Sequence, residues 1–191
     1  MLKNWRTVPN LISVIRLVIL VPVVIVLMSQ AEHRIPATVA LVIFGGTDWV
    51  DGFWARTTGQ VSRLGEILDP VADRVGILCI CVAMTAFEIL PLWILLVIVL
   101  TDLVLGVIGL TRMQQVRQGR VSWLGKIRTA VLMTGLPFLL AGTDPVFADT
   151  PLATFGLFLL SVGTLLHLGA GTQYALRLLR PQQMRSHSRV I

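Results

Sequence analysis

Asp48-Trp49-Val50-Asp51-Gly52-Phe53-Trp54-Ala55-Arg56 closes one apolar run of the chain, and Gly65-Glu66-Ile67-Leu68-Asp69-Pro70-Val71-Ala72-Asp73-Arg74 opens the next. The surroundings make these acids unusual. Of 191 residues, 55% are hydrophobic and 14% charged, and the mean hydropathy is +0.82. A soluble domain carries about 25% charged residues, so a bilayer is the expected solvent. An acid deep in a bilayer costs several kcal/mol at least, which reserves it for a task. Asp48, Asp51, Asp69 and Asp73 fall within 26 residues, at one end of two apolar segments.

Working outward, six apolar segments are expected: Leu11–Met28, Ile35–Trp54, Ile67–Phe87, Leu92–Leu110, Leu124–Ala141 and Leu152–Leu168. Each approaches the ~20 residues that a membrane-crossing helix needs. Lipid offers no partner to backbone polar groups, so such runs must be helical. Pro91 and Pro151 stand where helices begin, and Pro22 and Pro137 lie inside segments and should bend them. With the N-terminus in the cytoplasm, 15 of the 16 Lys and Arg fall on the inner side, leaving Arg34 outside with Glu32, Glu88, Asp144 and Asp149. That asymmetry predicts an all-α, polytopic six-helix bundle in the cell membrane, both termini cytoplasmic and the acids facing the cytoplasm. Residues 1–180 are expected to form one membrane domain, and 181–191 a flexible basic tail. The rival reading of the first segment, a cleaved signal peptide ending at Ser29-Gln30-Ala31, conflicts with Arg16 in its apolar run.

The net charge of +6 fits a membrane surface better than nucleic acid, because the basic residues alternate with apolar runs. Cys79 and Cys81, two positions apart, are expected to be buried thiols.

On a helix, Asp48 and Asp51 share a face about 4.5 Å apart in rise, and so do Asp69 and Asp73, four apart. The polar stretch Arg56 to Arg63 can turn the chain, so two antiparallel helices would bring four carboxylates together. Confined carboxylates repel. One or two divalent cations remove the conflict, and oxygen-only ligands suit Mg²⁺ or Mn²⁺. Gly52 and Ala55 let a ligand approach the backbone, Arg56 can grip a phosphate, and Gly65 gives clearance one turn before Asp69. The plainer alternative is a salt-bridge network of these acids with Arg56, Arg63 and Arg74.

The same residues resemble the signature of the CDP-alcohol phosphatidyltransferases: Asp, two residues, Asp-Gly, two residues, Ala-Arg, eight residues, Gly, three residues, Asp, three residues, Asp. Pro9-Asn10-Leu11-Ile12-Ser13-Val14-Ile15-Arg16 and Ser122-Trp123-Leu124-Gly125-Lys126-Ile127-Arg128-Thr129 look like motifs of the bacterial phosphatidylglycerophosphate synthase and cardiolipin synthase branch. The resemblance implies a six-helix enzyme, a homodimer among membrane lipids. It would use two divalent ions to move the phosphatidyl group of CDP-diacylglycerol to an alcohol, releasing CMP. It places the metals on Asp48, Asp51, Asp69 and Asp73, and makes Asp73 the general base. The cytidine and phosphate site falls to Gly52, Ala55 and Gly65, with Arg56 near the diphosphate and Asn10 close by.

Arg112, Arg117, Arg120, Lys126 and Arg128 form a basic cluster that either enforces topology or meets an acceptor's phosphate. Glycerol 3-phosphate, a small anionic alcohol, is the first expectation; phosphatidylglycerol, giving cardiolipin, is the alternative. Where that branch is expected to carry an Arg before an acid, this chain has Thr101-Asp102. Asp102, the one charge between Glu88 and Arg112, is expected to be functional or paired with an Arg, and His167 to be a hydrogen-bonded structural residue. A prenyltransferase would space its acid motifs farther apart, a transporter would hold acids near the midplane, and a non-catalytic scaffold would not need the full acidic set.

Overall fold

The structure, a computed structural model, describes residues 14–58, 65–111 and 123–179; the side chains of 48–58, 65–71, 110, 123–124, 126 and 177–179 are outside the description. A π-helical turn, Arg16–Leu20, leads into α1, Val21–Met28. Then come α2 (Arg34–Thr58), α3 (Gly65–Ala86), α4 (Leu92–Thr111), α5 (Trp123–Ala141) and α6 (Leu152–Leu179). Short 3-10 turns occupy Ala31–His33 and Pro145–Phe147. The described residues are all-helical, with no strand.

The boundaries follow local chemistry. Pro91 and Pro151 each stand one residue before a helix, and their carbonyls accept from the Ile94 and Phe155 N–H groups at 3.1 and 2.9 Å. Pro22 stands in the first turn of α1, just past the π-helical turn, where its missing N–H would otherwise interrupt a regular ladder. The α3–α4 turn puts Glu88 at φ 58°, a left-handed position that usually belongs to glycine. There the Met84 carbonyl accepts from both Ile89 and Leu90. Ser and Thr hydroxyls inside the apolar helices bond back to carbonyls one turn earlier, as Thr38 does to Arg34 and Thr164 to Leu160, both at 2.7 Å.

Helix α5 and helix α6 run antiparallel in backbone contact. A methyl at Gly156 would fall 2.3 Å from the Leu139 nitrogen, and one at Gly142 would fall 2.1 Å from the Ala153 nitrogen. Such small-residue contacts suit lipid, where dispersion rather than water exclusion holds helices together. The core gathers Val24, Met28, Phe44, Ile80, Met84, Ile94, Leu140 and Leu160 from all six helices. Large apolar side chains also cover the outside: Leu165 is 68% exposed and Val18 64%. An apolar surface of that kind calls for a non-aqueous neighbour.

Among the described residues, two helices are long and apolar enough to cross a membrane: Leu92–Gly109, of mean hydropathy 2.6, and Leu152–Leu176, of mean hydropathy 1.8. The apolar helices Arg16–Met28 and Ile127–Ala141 are shorter. The sixth helix runs to Leu179, well beyond the expected end at Leu168. Cys79 is half-buried and Cys81 buried, and neither is in a disulfide.

Candidate active site

The helix α2 carries Asp48, Asp51, Gly52, Ala55 and Arg56 on its last turns, and α3 carries Gly65, Asp69, Asp73 and Arg74 on its first. Both Asp pairs therefore have helical spacing. The side chains of Asp48, Asp51, Ala55, Arg56 and Asp69 lie outside the described residues, as do Asn10, Arg112, Arg117, Arg120 and the side chain of Lys126. Among the described residues no three His, Cys, Asp or Glu side chains gather.

Asp73 is described, and its partner comes from the first helical segment. Arg16 is buried, at 3% exposure, and its guanidinium forms an ion pair with the Asp73 carboxylate. The same guanidinium stacks over the Phe44 ring, 5.4 Å from the centroid. Phe44 reaches that place because Gly76, one turn beyond Asp73, leaves room: a methyl there would fall 2.7 Å from the ring. A buried guanidinium is tolerable only when paired, and Asp73 satisfies that need while remaining 21% exposed.

A second polar cluster joins α3, α4, α5 and α6. Arg74 pairs with Asp102. His167, buried at 3%, places Nε2 3.3 Å from the same Asp102 oxygen, too poorly aligned to be a hydrogen bond. Arg128 lies 3.0 Å from His167 Nδ1. An arginine can only donate, so Nδ1 is assigned as the acceptor and the ring proton belongs on Nε2, facing Asp102. These four residues border a cavity of about 790 Å³, walled otherwise mainly by apolar side chains of α3 to α6.

Thr101, in place of the expected Arg, is buried, and its methyl packs where a side chain at Gly171 would stand, 2.6 Å from such a methyl. Asp102 draws its cation from α3 instead. The Arg-paired role expected for Asp102 and the hydrogen-bonded role expected for His167 are both present. What the sequence reading missed is the partner of each group. The one available signal was that Arg16 and His167 are the single ionisable residues of their apolar runs.

Comparison with known proteins places this arrangement. Residues 6–169 match the family model described as CDP-alcohol phosphatidyltransferase. A Streptomyces coelicolor protein named cardiolipin synthase (CMP-forming) is 36% identical over 180 residues, covering 91% of this chain and 83% of the relative. A Bacillus subtilis protein named CDP-diacylglycerol--glycerol-3-phosphate 3-phosphatidyltransferase is 30% identical over 169 residues, covering 75% and 84%. A Salmonella choleraesuis protein of that same name is 31% identical over 140 residues, covering 70% and 76%.

Proposed function

The chain belongs to the CDP-alcohol phosphatidyltransferase family, and from that premise we propose that it transfers the phosphatidyl group of CDP-diacylglycerol to a glycerol-type alcohol and releases CMP. The observation that carries this reading is the complete aspartate pattern on adjoining ends of α2 and α3, with Asp73 fixed by Arg16 beside it.

The donor set fits a hard divalent ion. All four residues offer carboxylate oxygens, at helical spacings of three and four, and Asp73 keeps part of its surface accessible. Asp48, Asp51, Asp69 and Asp73 would hold two ions, Mg²⁺ or Mn²⁺. Bound ions neutralise diphosphate charge and stabilise the departing oxygen. The protein's own part is positional. Gly52, Ala55 and Gly65 leave backbone open to the nucleotide, and Arg56 and Asn10 serve the same ligand. Asp73 takes the proton of the acceptor hydroxyl. That oxygen forms a bond to the phosphatidyl phosphorus while the bond from that phosphorus to the bridging oxygen breaks, and CMP leaves with the bridging oxygen. Arg16 holds the base in place, and proton transfer requires the acceptor hydroxyl to come within hydrogen-bond reach of it.

The setting belongs to the same proposal: six crossings of a bacterial cell membrane, both termini and the site cytoplasmic, residues 1–180 one domain, 181–191 a basic tail, two chains per enzyme. It is supported by the charge asymmetry and by the apolar outer surface.

Glycerol 3-phosphate as acceptor is supported by the basic residues Arg112, Arg117, Lys126 and Arg128 and by the name of the Bacillus relative. Phosphatidylglycerol, giving cardiolipin, is favoured by a specific observation: Thr101 packs against α6 where an arginine was expected. The Streptomyces relative's name points the same way. The test is CMP release by the purified chain with CDP-diacylglycerol and Mg²⁺ or Mn²⁺, offering glycerol 3-phosphate, phosphatidylglycerol, inositol phosphate and serine in turn. Release is expected only with a glycerol-type acceptor. Release with serine alone, or with none of the four, overturns the reading.

A further inference from the structure

Phe44 stands four positions before Asp48 on α2, and Gly76 stands three positions after Asp73 on α3. On a helix each offset is about one turn. Phe44 is 2% exposed, and its ring fills the notch that Gly76 leaves: a methyl there would fall 2.7 Å from one ring carbon and 3.0 Å from another. Val21 of α1 enters the same notch, 3.4 Å from that methyl position. Arg16 lies over the Phe44 ring at 5.4 Å, inside the ~6 Å reach of a cation–π contact. The π-helical turn explains how one segment supplies both residues. On an α-helix Arg16 and Val21 would point about 140° apart. Here the Val21 N–H bonds to the Arg16 carbonyl five residues back, and both side chains are buried.

We propose that Phe44, seated on Gly76, is a positioning residue for the carboxylate site. The seat fixes the register of α2 against α3 one turn from Asp48 and one turn from Asp73. The ring is also the platform on which Arg16 lies while it pairs with Asp73. Phe44 thus acts through helix register and through Arg16. This role rests on the proposed aspartate ligands and adds what holds them in register. Core packing alone asks for apolar bulk at residue 44, and leucine supplies that. A platform for a guanidinium, fitted to a notch without a side chain, asks for a flat ring. Groups that orient metal ligands without touching the ion carry about 10–100-fold of metal affinity.

Mn²⁺ binding by the purified full-length chain in detergent, with no substrate present, reads the site, and thermal unfolding of the same samples reads the fold. Gly76→Ala pushes the ring off its seat, and Phe44→Leu removes the platform. Each is expected to raise the Kd for Mn²⁺ about tenfold or more. Where Phe44→Leu does not fold, Gly76→Ala, a single added methyl, decides. Phe44→Leu in the Gly76→Ala background makes room for that methyl, so the double variant is expected to bind Mn²⁺ no more weakly than Phe44→Leu alone. Additive losses overturn the seat. Gly46→Ala, on the same helix with nothing within 4 Å of its added methyl, keeps the Kd of the parent. A lowered Tm with unchanged Kd in the single variants leaves Phe44 a packing residue and overturns the positioning role alone. A parent chain that binds no Mn²⁺ overturns the aspartate ligand set, and this role with it.

Discussion

Arg16 and Asp73, 57 positions apart, form an ion pair in which the arginine is almost wholly buried and the aspartate is not. The pair joins the first helical segment to the start of α3, and it ties the proposed base to a cation that cannot leave. Arg16→Leu takes the guanidinium from the Asp73 carboxylate, and Asp73→Leu takes that carboxylate from a buried guanidinium. Each single change is expected to cost about 3–5 kcal/mol, and the double change less than their sum. Detergent-solubilised unfolding of the four proteins checks the cycle; strict additivity would refute the pairing.

Asp73→Asn keeps an oxygen for Arg16 but gives up the base. Turnover is expected to fall by roughly 10²-fold or more. CMP release under saturating acceptor measures it, and retained turnover removes Asp73 from the proton-transfer role.

Chelation of divalent ions with EDTA is expected to abolish CMP release, with recovery on adding Mg²⁺ or Mn²⁺, since oxygen-only donors match those ions. The same depletion should weaken binding of CDP-diacylglycerol, measured separately by equilibrium binding.

Gly156 lies against the Leu139 backbone, whereas Gly109 has nothing within 4 Å of an added methyl. Gly156→Ala is therefore expected to destabilise by about 1–3 kcal/mol. Gly109→Ala should be neutral or slightly stabilising. Thermal unfolding in one detergent compares them.

Glu88 occupies a left-handed backbone position at φ 58°. Glu88→Gly relieves that conformation and is expected to stabilise the α3–α4 turn by about 1 kcal/mol. A fall in Tm would show that the Glu88 side chain contributes more than its backbone costs.

Helix limits were legible where apolar runs met prolines, as at Pro91 and Pro151. The end of α6 was not. Beyond Leu168 the chain turns polar, with Thr172, Gln173 and Tyr174, while backbone hydrogen bonding continues regardless of side chain. The aspartate pattern could be read because helical spacing alone puts paired carboxylates on one face. Partner choice could not be read, because it depends on which helices become neighbours. The plainer alternative put Arg74 in a network with the four aspartates, and it reaches across to Asp102. The missing arginine at Thr101 likewise made sense only once Gly171 was seen beside it.

Gly142 and Gly156 leave no side-chain thickness between α5 and α6. The two helices cannot slide past each other by even one residue without driving a methyl or larger group into main chain. Arg128 and His167 ride on that same pair, well away from the glycines. Their alignment is thus inherited in part from a glycine-lined contact at the other end of the same two helices. A substitution there would shift Arg128 relative to His167, several helical turns away from the changed residue.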